Sequence, residues 1–432
     1  MFARCSQALF VMTNVISGGF FSAEDADSLP NFDAEHKKEG AFCVWTMDEL
    51  KTLLDATDDS ESVINGHKRS ELISAYFNAK TGGNVNPRGD PHGELKNQNV
   101  LTLIGTDKNK IMQTFGLDNT ELEHHIKKCI EILHNARKGR PRPHLDDKIL
   151  TAWNGLMISG VCAAGNALGN KEYIDLGVKA ATFLHENMWN KETKRLYRSA
   201  YTGKDGDVQQ LNKPIDGFVD DYAYLIRGLL DLYESTFEVR WIEWAIELQH
   251  TQNESFWDSE SKGYFTAPEG DPSIVLRLKE DQDGAEPASN SVTSLNLIRL
   301  SVFLDKPEFR DRAKETIAAF KETLSRFPVA LPEMSSSLMI LHNTPIEIII
   351  TGDPSKSAET KAMLDVVHSN LIPHKVLILA DGNTQNILYK SLEVLKNIKV
   401  DDPGKAFVCK DYACSPPVSN PEELLKLILR PQ

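Results

Sequence analysis

The sequence has few cysteines, and their spacing argues against both a disulfide framework and a redox motif. Six cysteines are scattered over 432 residues, which is too few for the dense cross-linking of small secreted domains. The closest two, Cys409 and Cys414, enclose four residues, whereas a thioredoxin-like redox site encloses only two. No histidine lies beside them to complete a zinc site. We therefore expect no redox role for this pair and no bound metal.

The features of membrane and nucleic-acid proteins are also missing. No apolar run approaches the roughly 18 residues that span a bilayer. The net charge of −14, from 48 basic and 62 acidic residues, argues against nucleic acid or an anionic membrane as a partner. Glycine-rich phosphate-binding motifs are absent, so no nucleotide cofactor is expected. The expected location is cytoplasmic; residues 1–16 fit an amphipathic helix better than a signal peptide, although their apolar character leaves secretion open.

What the sequence does contain is a repeat of paired helical patterns. Apolar residues recur at three- and four-residue steps in most of the chain from residue 120 to residue 327, and they predict, among others, helices at 150–168, 218–233 and 309–327. Two connections between the helices are alike: MWNKETKRLY at 188–197 and FWDSESKGYF at 256–265. The spacing from Trp189 to Trp257 is 68 residues, and helix starts keep a similar period of about seventy, which is typical of a repeat architecture.

Both a helical solenoid and an (α/α) toroid would show this period, and the polar residues at the helix starts favour the toroid. Successive inner helices of the predicted toroid begin with acidic or hydrogen-bonding residues, namely Asp146 and Asp147, then Asp220 and Asp221, then Glu286 and Asn290. A toroid lines its central cavity with such residues, whereas a solenoid has no reason to collect them at equivalent positions.

The pattern changes near residue 331, which suggests a second domain. Residues 1–330 are predicted to form a partial (α/α) toroid with an irregular insertion at about 17–118. Residues 331–432 would supply the last toroid helix and a small α/β unit. Apolar runs at 345–351 and 375–380 read as buried strands on either side of a helical pattern at 359–371, which suggests a parallel sheet. The predicted fold class is therefore mainly α with a small C-terminal α/β unit.

Several segments resemble the spermatogenesis-associated protein 20 family. They run in the family's order along nearly the whole chain: GGFFSAEDADS (18–28), EGAFCVWT (39–46), HGELKNQNVL (92–101), RPRPHLDDKILTAWNGLMISG (140–160), DDYAYLIRGLLDLYE (220–234) and AFVCKDYACSPPVSNPEEL (406–424). The resemblance implies an N-terminal thioredoxin-like domain joined to a six-hairpin glycosidase toroid, similar to N-acylglucosamine and cellobiose epimerases. It further implies that this chain is truncated and lacks the thioredoxin-like domain and the first hairpins.

One group of candidate catalytic residues lies near the start of the sequence. Glu24, Asp25 and Asp27 fall within four positions after a Gly-Gly-aromatic turn. Carboxylates this dense repel one another, which raises some pKa values and suits general acid–base chemistry. The alternative is a helix cap, a structural cation site or a solvated surface.

The inner helix starts supply the other candidates. Asp147 and Asp221 are the candidate catalytic carboxylates, because glycoside hydrolysis needs two carboxyl groups facing one cavity. We expect Asp147, Asp221 and Glu286 to converge on one concave face. Substrate-binding roles are expected for residues on the same helix starts, with the Trp153 ring available for sugar stacking: Trp153, Asn154, Tyr222, Glu286 and Asn290. In the alternative interpretation, Asp147 and Asp221 are N-terminal helix caps, a common use of aspartate.

The leading functional hypothesis is a carbohydrate-active toroid, hydrolase- or epimerase-like, acting on a sugar-like small molecule. Through the resemblance it implies a role in carbohydrate metabolism and a link to spermatogenesis. The rival hypothesis is a non-catalytic binding or scaffold protein with a vestigial sugar site, which serves a thioredoxin-like domain in a longer form. Whether the chain is an enzyme is open at this stage, because fold analogy alone does not establish activity.

Overall fold

A computed structural model of the chain describes residues 18–56, 62–90, 92–203, 207–400, 404–410 and 413–429. The amphipathic helix expected at residues 1–16 lies outside these ranges. The chain divides into two compact units, one formed by Ala23–Asp146 and the other by the residues on either side of it, up to Ser22 and from Asp147 onward. We call them the inserted unit and the main unit. The sequence placed an insertion at about 17–118, whereas the inserted unit also contains the long helix that ends at Lys138.

The inserted unit is built from four helices and short strand pairs around its own core. Its helices are α1 (Met47–Leu54), α2 (Arg69–Phe77), α3 (Lys108–Phe115) and α4 (Asn119–Lys138). Its strands are β1 (Ala23–Glu24), β2 (Asp27–Ser28), β3 (Lys38–Glu39), β4 (Val63–Ile64), β5 (His67–Lys68) and β6 (Leu145–Asp146). Strand β1 pairs antiparallel with β6, so the first and last residues of the unit lie side by side. Trp45 and Leu50 are buried in the core, and the Arg140 guanidinium lies 3.9 Å from the centre of the Trp45 ring.

The main unit consists mainly of helical hairpins. Three consecutive hairpins are α5 (Thr151–Leu168) with α6 (Lys171–Asn187), α7 (Val219–Thr236) with α8 (Arg240–Phe256), and α9 (Ser289–Leu304) with α10 (Pro307–Ala319). The short α11 (Lys321–Arg326) and α12 (Pro332–Asn343) follow. The first helices of the hairpins pack side by side, α5 on α7, α7 on α9 and α9 on α12. We call α5, α7 and α9 the inner helices. Short strands lie between the hairpins: β7 (Ile149–Leu150), β8 (Ser199–Thr202) and β9 (Val208–Gln209).

The inner helices approach one another closely because glycines lie at their contact. A Cβ atom placed on Gly155 of α5 would come within 2.5 Å of the backbone nitrogen of Leu225 in α7. One placed on Gly228 of α7 would come within 2.7 Å of the carbonyl oxygen of Gly155. Backbone therefore packs directly on backbone between these two helices. The surrounding side chains are buried all around α7 and α9, as expected of helices that are covered on both sides.

The C-terminal part of the main unit is a small α/β unit, and its sheet is mixed. Its strands are β10 (Ile346–Thr351), β11 (Lys375–Ala380), β12 (Ala406–Lys410) and β13 (Ala413–Cys414), in the order β11-β10-β12-β13. Its helices are α13 (Ala358–Ser369), α14 (Ile387–Ser391), α15 (Glu393–Asn397) and α16 (Pro421–Ile428). Strands β10 and β11 are parallel, as the sequence predicts, but β12 runs antiparallel to β10.

The predicted fold class is confirmed: paired helices of the (α/α) type are followed by a small α/β unit. One expectation for the C-terminal unit needs correction. The spacing of Cys409 and Cys414 predicts no redox role for this pair, and the two cysteines form a disulfide with an S–S distance of 2.08 Å. In the part of the chain that the structure describes, no helix is both long and apolar enough to cross a membrane.

Candidate functional site

Two inner helices each clamp an extended backbone segment with an asparagine in their first turn. Asn154 of α5 accepts the backbone N–H of Phe20 (2.8 Å) and donates its amide to the carbonyl of the same residue (3.0 Å). Asn290 of α9 does the same to Tyr264, at 2.7 and 2.8 Å. Both asparagines are buried. They were expected to point into a ligand cavity, and instead they pair with the backbone N–H and carbonyl groups of Phe20 and Tyr264.

Helix α7, which packs between α5 and α9, also binds an extended backbone segment, but through a tyrosine side chain. The Tyr222 hydroxyl of α7 accepts the backbone N–H of Leu196 at 2.9 Å. Leu196 and Tyr264 are equivalent residues of the two repeated connections, and Phe20 of GGFF occupies the same position in a third, shorter copy. We call these three interactions the clasps. The sequence analysis missed this third copy.

Replacing Asn290 with alanine should lower the free energy of unfolding by about 2–4 kcal/mol, because two hydrogen bonds disappear and two buried backbone groups lose their partners. Urea unfolding followed by circular dichroism measures this. Asn397→Ala is the control, because that side chain is exposed and makes one hydrogen bond, to the carbonyl of Glu393; it should change stability by less than about 0.5 kcal/mol. Equal stability of the two variants would contradict the clasp.

Asp221, a predicted catalytic carboxylate, is completely buried and joins two helix starts. It accepts the backbone N–H of Ala152 (2.9 Å) in α5 and that of Phe218 (2.8 Å), which precedes its own helix. Arg198 donates at 3.0 Å to Oδ2, the oxygen that also accepts from Phe218, whereas Ala152 donates to Oδ1. Burial, together with the neighbouring Asp220 carboxylate, raises the pKa of Asp221 to about 8, against the opposing effect of Arg198 and the two N–H donors. These contacts are those of the helix cap that the sequence offered as the alternative.

Asp220 forms an ion pair with the same arginine, Arg198, and is more exposed than Asp221. Its two carboxylate oxygens accept from Arg198 at 3.0 and 3.1 Å, and about a fifth of its side chain is exposed, 21%. The Arg198 side chain also lies 4.9 Å from the centre of the Phe218 ring. Asp147 is partly buried and accepts the backbone N–H of Thr202 at 3.2 Å. The Asp147 side chain therefore holds the end of β8, within the connection between α6 and α7.

Trp153 lies in the first turn of α5, and Glu286 lies three residues before the start of α9. The two side chains are in contact. The indole N–H of Trp153 donates to Glu286 Oε1 at 2.6 Å, and 42% of the tryptophan remains exposed. Tyr224, on α7 between them, donates its hydroxyl to the carbonyl of Pro287 at 2.5 Å. Burial and the nearby carboxylates, Glu286 first and Asp220 next, raise the pKa of Tyr224, so its hydroxyl stays protonated. Trp153, Glu286, Tyr224 and Asp220 form what we call the rim cluster.

Further carboxylates near the rim cluster have structural contacts. Glu280 accepts from the backbone and hydroxyl of Ser289 at the start of α9, and Asp283 accepts the backbone N–H groups of Ala288 and Glu333. Arg227 of α7 pairs with Glu333 at 2.9 Å. The sequence analysis missed Arg198, Tyr224 and Arg227. Tyr224 had a signal, because it lies four residues after Asp220 and so shares its helix face.

The remaining candidates, Glu24, Asp25 and Asp27, belong to the inserted unit. Glu24 pairs with Arg142 at 2.7 Å and Asp25 with Lys37 at 2.8 Å. The hydrogen bond from Lys37, followed by the one from the backbone of Asp27, lowers the pKa of Asp25. The expected rise from mutual repulsion is therefore wrong for Asp25, because each of the first two carboxylates has its own cation.

Of the predicted site residues, the structure brings Trp153 and Glu286 together. Asp147, Asp221, Asn154, Tyr222 and Asn290 instead hold the backbone around them. Glu24, Asp25 and Asp27 are surface ion pairs and turn residues of the inserted unit. No group of three or more histidine, cysteine, aspartate or glutamate side chains within the described ranges has the arrangement of a metal site.

Comparison with solved structures finds enzymes that act on sugars, at low similarity. The chain is similar to cellobiose 2-epimerase from Bacillus thermoamylovorans, with 16% identity and a TM-score of 0.35 over 42% of this chain and 47% of that one. It is also similar to a GH76 α-mannanase of Bacteroides thetaiotaomicron, with 13% identity and a TM-score of 0.37 over 57% and 67% of the two chains. Likenesses at these TM-scores carry no argument about the activity of this chain.

Comparison with other sequences gives much stronger matches. No protein-family model matches the chain. It is 43% identical over 416 residues to human spermatogenesis-associated protein 20, 42% identical to the mouse protein, and 36% identical to an uncharacterized protein of Caenorhabditis elegans. Each alignment covers 95% of this chain, but the chain spans only about half of each relative, between 52% and 54%. Over the aligned residues, the chain belongs to the spermatogenesis-associated protein 20 family.

Proposed function

We propose that the rim cluster binds a sugar-like ligand, with the Trp153 ring as a stacking surface and Glu286 and Asp220 as polar groups for its hydroxyls. The observation that carries the proposal is the indole of Trp153, half exposed and held in orientation by its hydrogen bond to Glu286. An exposed aromatic face that is held in one orientation is the kind of surface on which small-molecule sites stack their ligands.

The surroundings of Trp153 suit a ligand with many hydroxyl groups. The ring offers an apolar face to the C–H groups of a sugar, and the carboxylates beside it accept hydrogen bonds from hydroxyls. Tyr224 is fixed by its hydrogen bond to the carbonyl of Pro287. The chemistry is that of many small-molecule sites, in which an aromatic platform gives affinity and a few polar groups give orientation.

We further propose that Asp220 and Glu286 are the reacting pair if the site is hydrolase- or epimerase-like. Such chemistry needs two carboxyl groups whose environments differ, so that one donates a proton while the other accepts one. Asp220 is paired with the Arg198 guanidinium, and Glu286 with a neutral indole N–H. The two carboxylates therefore have different partners. The pair thus replaces Asp147 and Asp221 as the proposed catalytic carboxylates.

The alternative we retain is a non-catalytic sugar-binding or scaffold protein, which would serve a thioredoxin-like domain in a longer form. One observation favours it. Asp220 is ion-paired, Glu286 is hydrogen-bonded to Trp153, and Asp221 is buried in a double helix cap. A scaffold is expected to keep its carboxylates engaged in this way, whereas an enzyme must release one of them when substrate enters.

Titration calorimetry with a panel of mono- and disaccharides tests the binding proposal. Trp153→Ala should weaken binding by about tenfold or more, as removal of a large buried aromatic contact does at binding hot spots. Phe327→Ala is the matched control, because that ring is exposed on the same unit, 64%, and is not part of the rim cluster. Equal affinity of wild type and Trp153→Ala, or no binding of any sugar, would reject the site.

Turnover of the bound sugars, followed by NMR of the anomeric protons, separates the two functions. In an enzyme, Glu286→Gln should reduce turnover by at least about a hundredfold, the usual contribution of a general acid or base, while binding changes little. In a binding protein, the wild type binds sugar and leaves it unchanged.

A further inference from the structure

The Cys409–Cys414 disulfide joins two neighbouring antiparallel strands at directly opposite positions. Cys409 of β12 and Cys414 of β13 are partners in the register, and their Cα atoms are 3.9 Å apart. The two cysteine residues differ in exposure, because Cys409 is buried, 5% exposed, whereas Cys414 is exposed. An external thiol can therefore approach the bond from the side of Cys414.

A buried carboxyl group lies on the other side of Cys409. Glu347 of β10 is the register partner of Cys409, so their side chains project from the same face of the sheet. Cβ atoms of such directly opposite residues are about 4.5–5.5 Å apart. Glu347, Cys409 and Cys414 therefore form one row across three strands. The buried Oε1 of Glu347 has no hydrogen-bond partner among the residues that the structure describes.

We propose that Cys409 and Cys414 are a thiol–disulfide exchange site for a low-molecular-weight thiol such as glutathione, and that Glu347 transfers the proton to and from Cys409. Nothing in the function proposed above depends on this site, and the rim cluster takes no part in it.

The exchange balances as follows. The thiolate of the external thiol attacks Sγ of Cys414, the S–S bond breaks, and the electron pair leaves with Sγ of Cys409, which takes the proton of the Glu347 carboxyl group. A second external thiolate then attacks the external sulfur of the mixed disulfide and releases Cys414 as a thiolate, which takes a proton from water. The Glu347 carboxylate then takes a proton back from solvent, which received one proton from each external thiol when it ionised. In total the protein gains two electrons and two protons, and the two external thiols become one disulfide. In the reverse direction, the Glu347 carboxylate removes the proton of Cys409 as its sulfur attacks the mixed disulfide.

Two observations make the bond suitable for reversible exchange rather than for structural cross-linking. The loop between the cysteines is so short that the bond constrains the unfolded chain little. The hairpin is held independently by hydrogen bonds between Ala406 and Val418, at 2.8 and 2.9 Å, so the strands stay paired when the bond opens.

The environment of Glu347 suits a group that both gives and takes protons near neutral pH. Burial, reinforced by the carboxylate of Asp305 at the end of α9, raises the pKa of Glu347 to about 7. Its register partners Val376 and Cys409 carry no charge. On α7 and β11, Glu234 and Lys375 are paired with each other. The most effective proton-transfer groups have a pKa near the working pH.

The first test is a redox titration of the full chain in glutathione buffers, with differential alkylation and peptide mass spectrometry to read the state of each cysteine. We expect Cys409 and Cys414 to change together and reversibly from bonded to free within the range of these buffers, while the chain keeps its circular dichroism spectrum. A pair that stays bonded in a large excess of reduced glutathione, or that is reduced only when the protein unfolds, would make the bond structural and overturn the proposal.

The second test is the rate of reduction of the pair as a function of pH in wild type and Glu347→Gln. We expect the variant to be at least tenfold slower near pH 7, and we expect the wild-type inflection near pH 7 to be lost. Glu422→Gln, an exposed carboxylate in the first turn of α16 of the same unit, is the matched control and should behave as wild type. If Glu347 only supported the fold, its replacement by glutamine, which has the same shape, would leave the pH profile unchanged. Identical profiles for wild type and a folded Glu347→Gln would therefore remove Glu347 from the reaction.

Discussion

Replacing Arg299 with methionine should lower the free energy of unfolding by about 3–5 kcal/mol, because it removes the cation paired with Asp231 and one of the two cations that balance the buried Glu234. Arg299 lies on α9 and donates to Asp231 at 2.7 Å and to Glu234 at 3.0 Å, both on α7. Lys375 of β11 binds the second oxygen of Glu234. Arg299 and Glu234 are buried, and the attraction of Lys375 and Arg299 outweighs burial and lowers the pKa of Glu234.

Urea unfolding at neutral pH measures this loss. Arg326→Met is the matched control, because Arg326 pairs with Glu322 on an exposed surface where both side chains are more than two-thirds in solvent. Such pairs contribute less than about 1 kcal/mol. We also expect part of the loss in Arg299→Met to disappear below about pH 4, where carboxylates are protonated. Similar stabilities for the two variants would mean that the buried network is not a coupled unit.

Replacing Gly155 with alanine should cost about 3 kcal/mol or more, because the added methyl group has no room between two helices. The new Cβ would lie 2.5 Å from backbone atoms of both Tyr224 and Leu225, and backbone cannot rotate aside as a side chain can. Overpacking of this kind costs about 1–3 kcal/mol even where side chains can adjust. The inner helices α5 and α7 would have to move apart.

The same helix provides the control for Gly155. A Cβ on Gly160, five residues further along α5, would meet nothing within 4 Å among the described residues. Gly160→Ala should therefore stabilise the protein by about 0.5–1 kcal/mol through helix propensity. Thermal unfolding of the two variants should move in opposite directions. A neutral Gly155→Ala would mean that the two helices are not in backbone contact in solution.

The helices could be predicted from the sequence because their signal is local. Apolar residues repeat every three or four positions, and the predicted ranges at 150–168 and 218–233 agree with α5 and α7 within a few residues. One pattern misled. Residues 309–327 read as a single helix, whereas the helix ends at Ala319 and a short second helix starts at Lys321. The apolar period continues across Phe320 because that buried residue serves both segments.

The candidate site was harder to predict because its partners are far apart in the chain. Trp153 and Glu286 were both named as candidates, but their hydrogen bond spans 133 residues and no periodicity reveals it. Asp220 and Asp221 are neighbours in sequence but differ in burial. Asp220 is partly exposed and pairs with Arg198, whereas Asp221 is fully buried and caps two helix starts. The difference arises because consecutive helical residues point about 100° apart. The Cys409–Cys414 bond likewise depends on strand register, which cysteine spacing does not specify.

The clasps also have a consequence for how the chain folds. Two of them join residues 26 positions apart, but the clasp between Asn154 and Phe20 spans 134. For a flexible chain, closing the longer loop costs about 1.5 kcal/mol more in entropy. The inserted unit accounts for most of that loop, and β1 and β6 hold its two ends together. Once the inserted unit has folded around its own core, the chain enters and leaves it at one point. The order of events then matters: if the insertion folds first, the distant clasp closes as easily as the local ones.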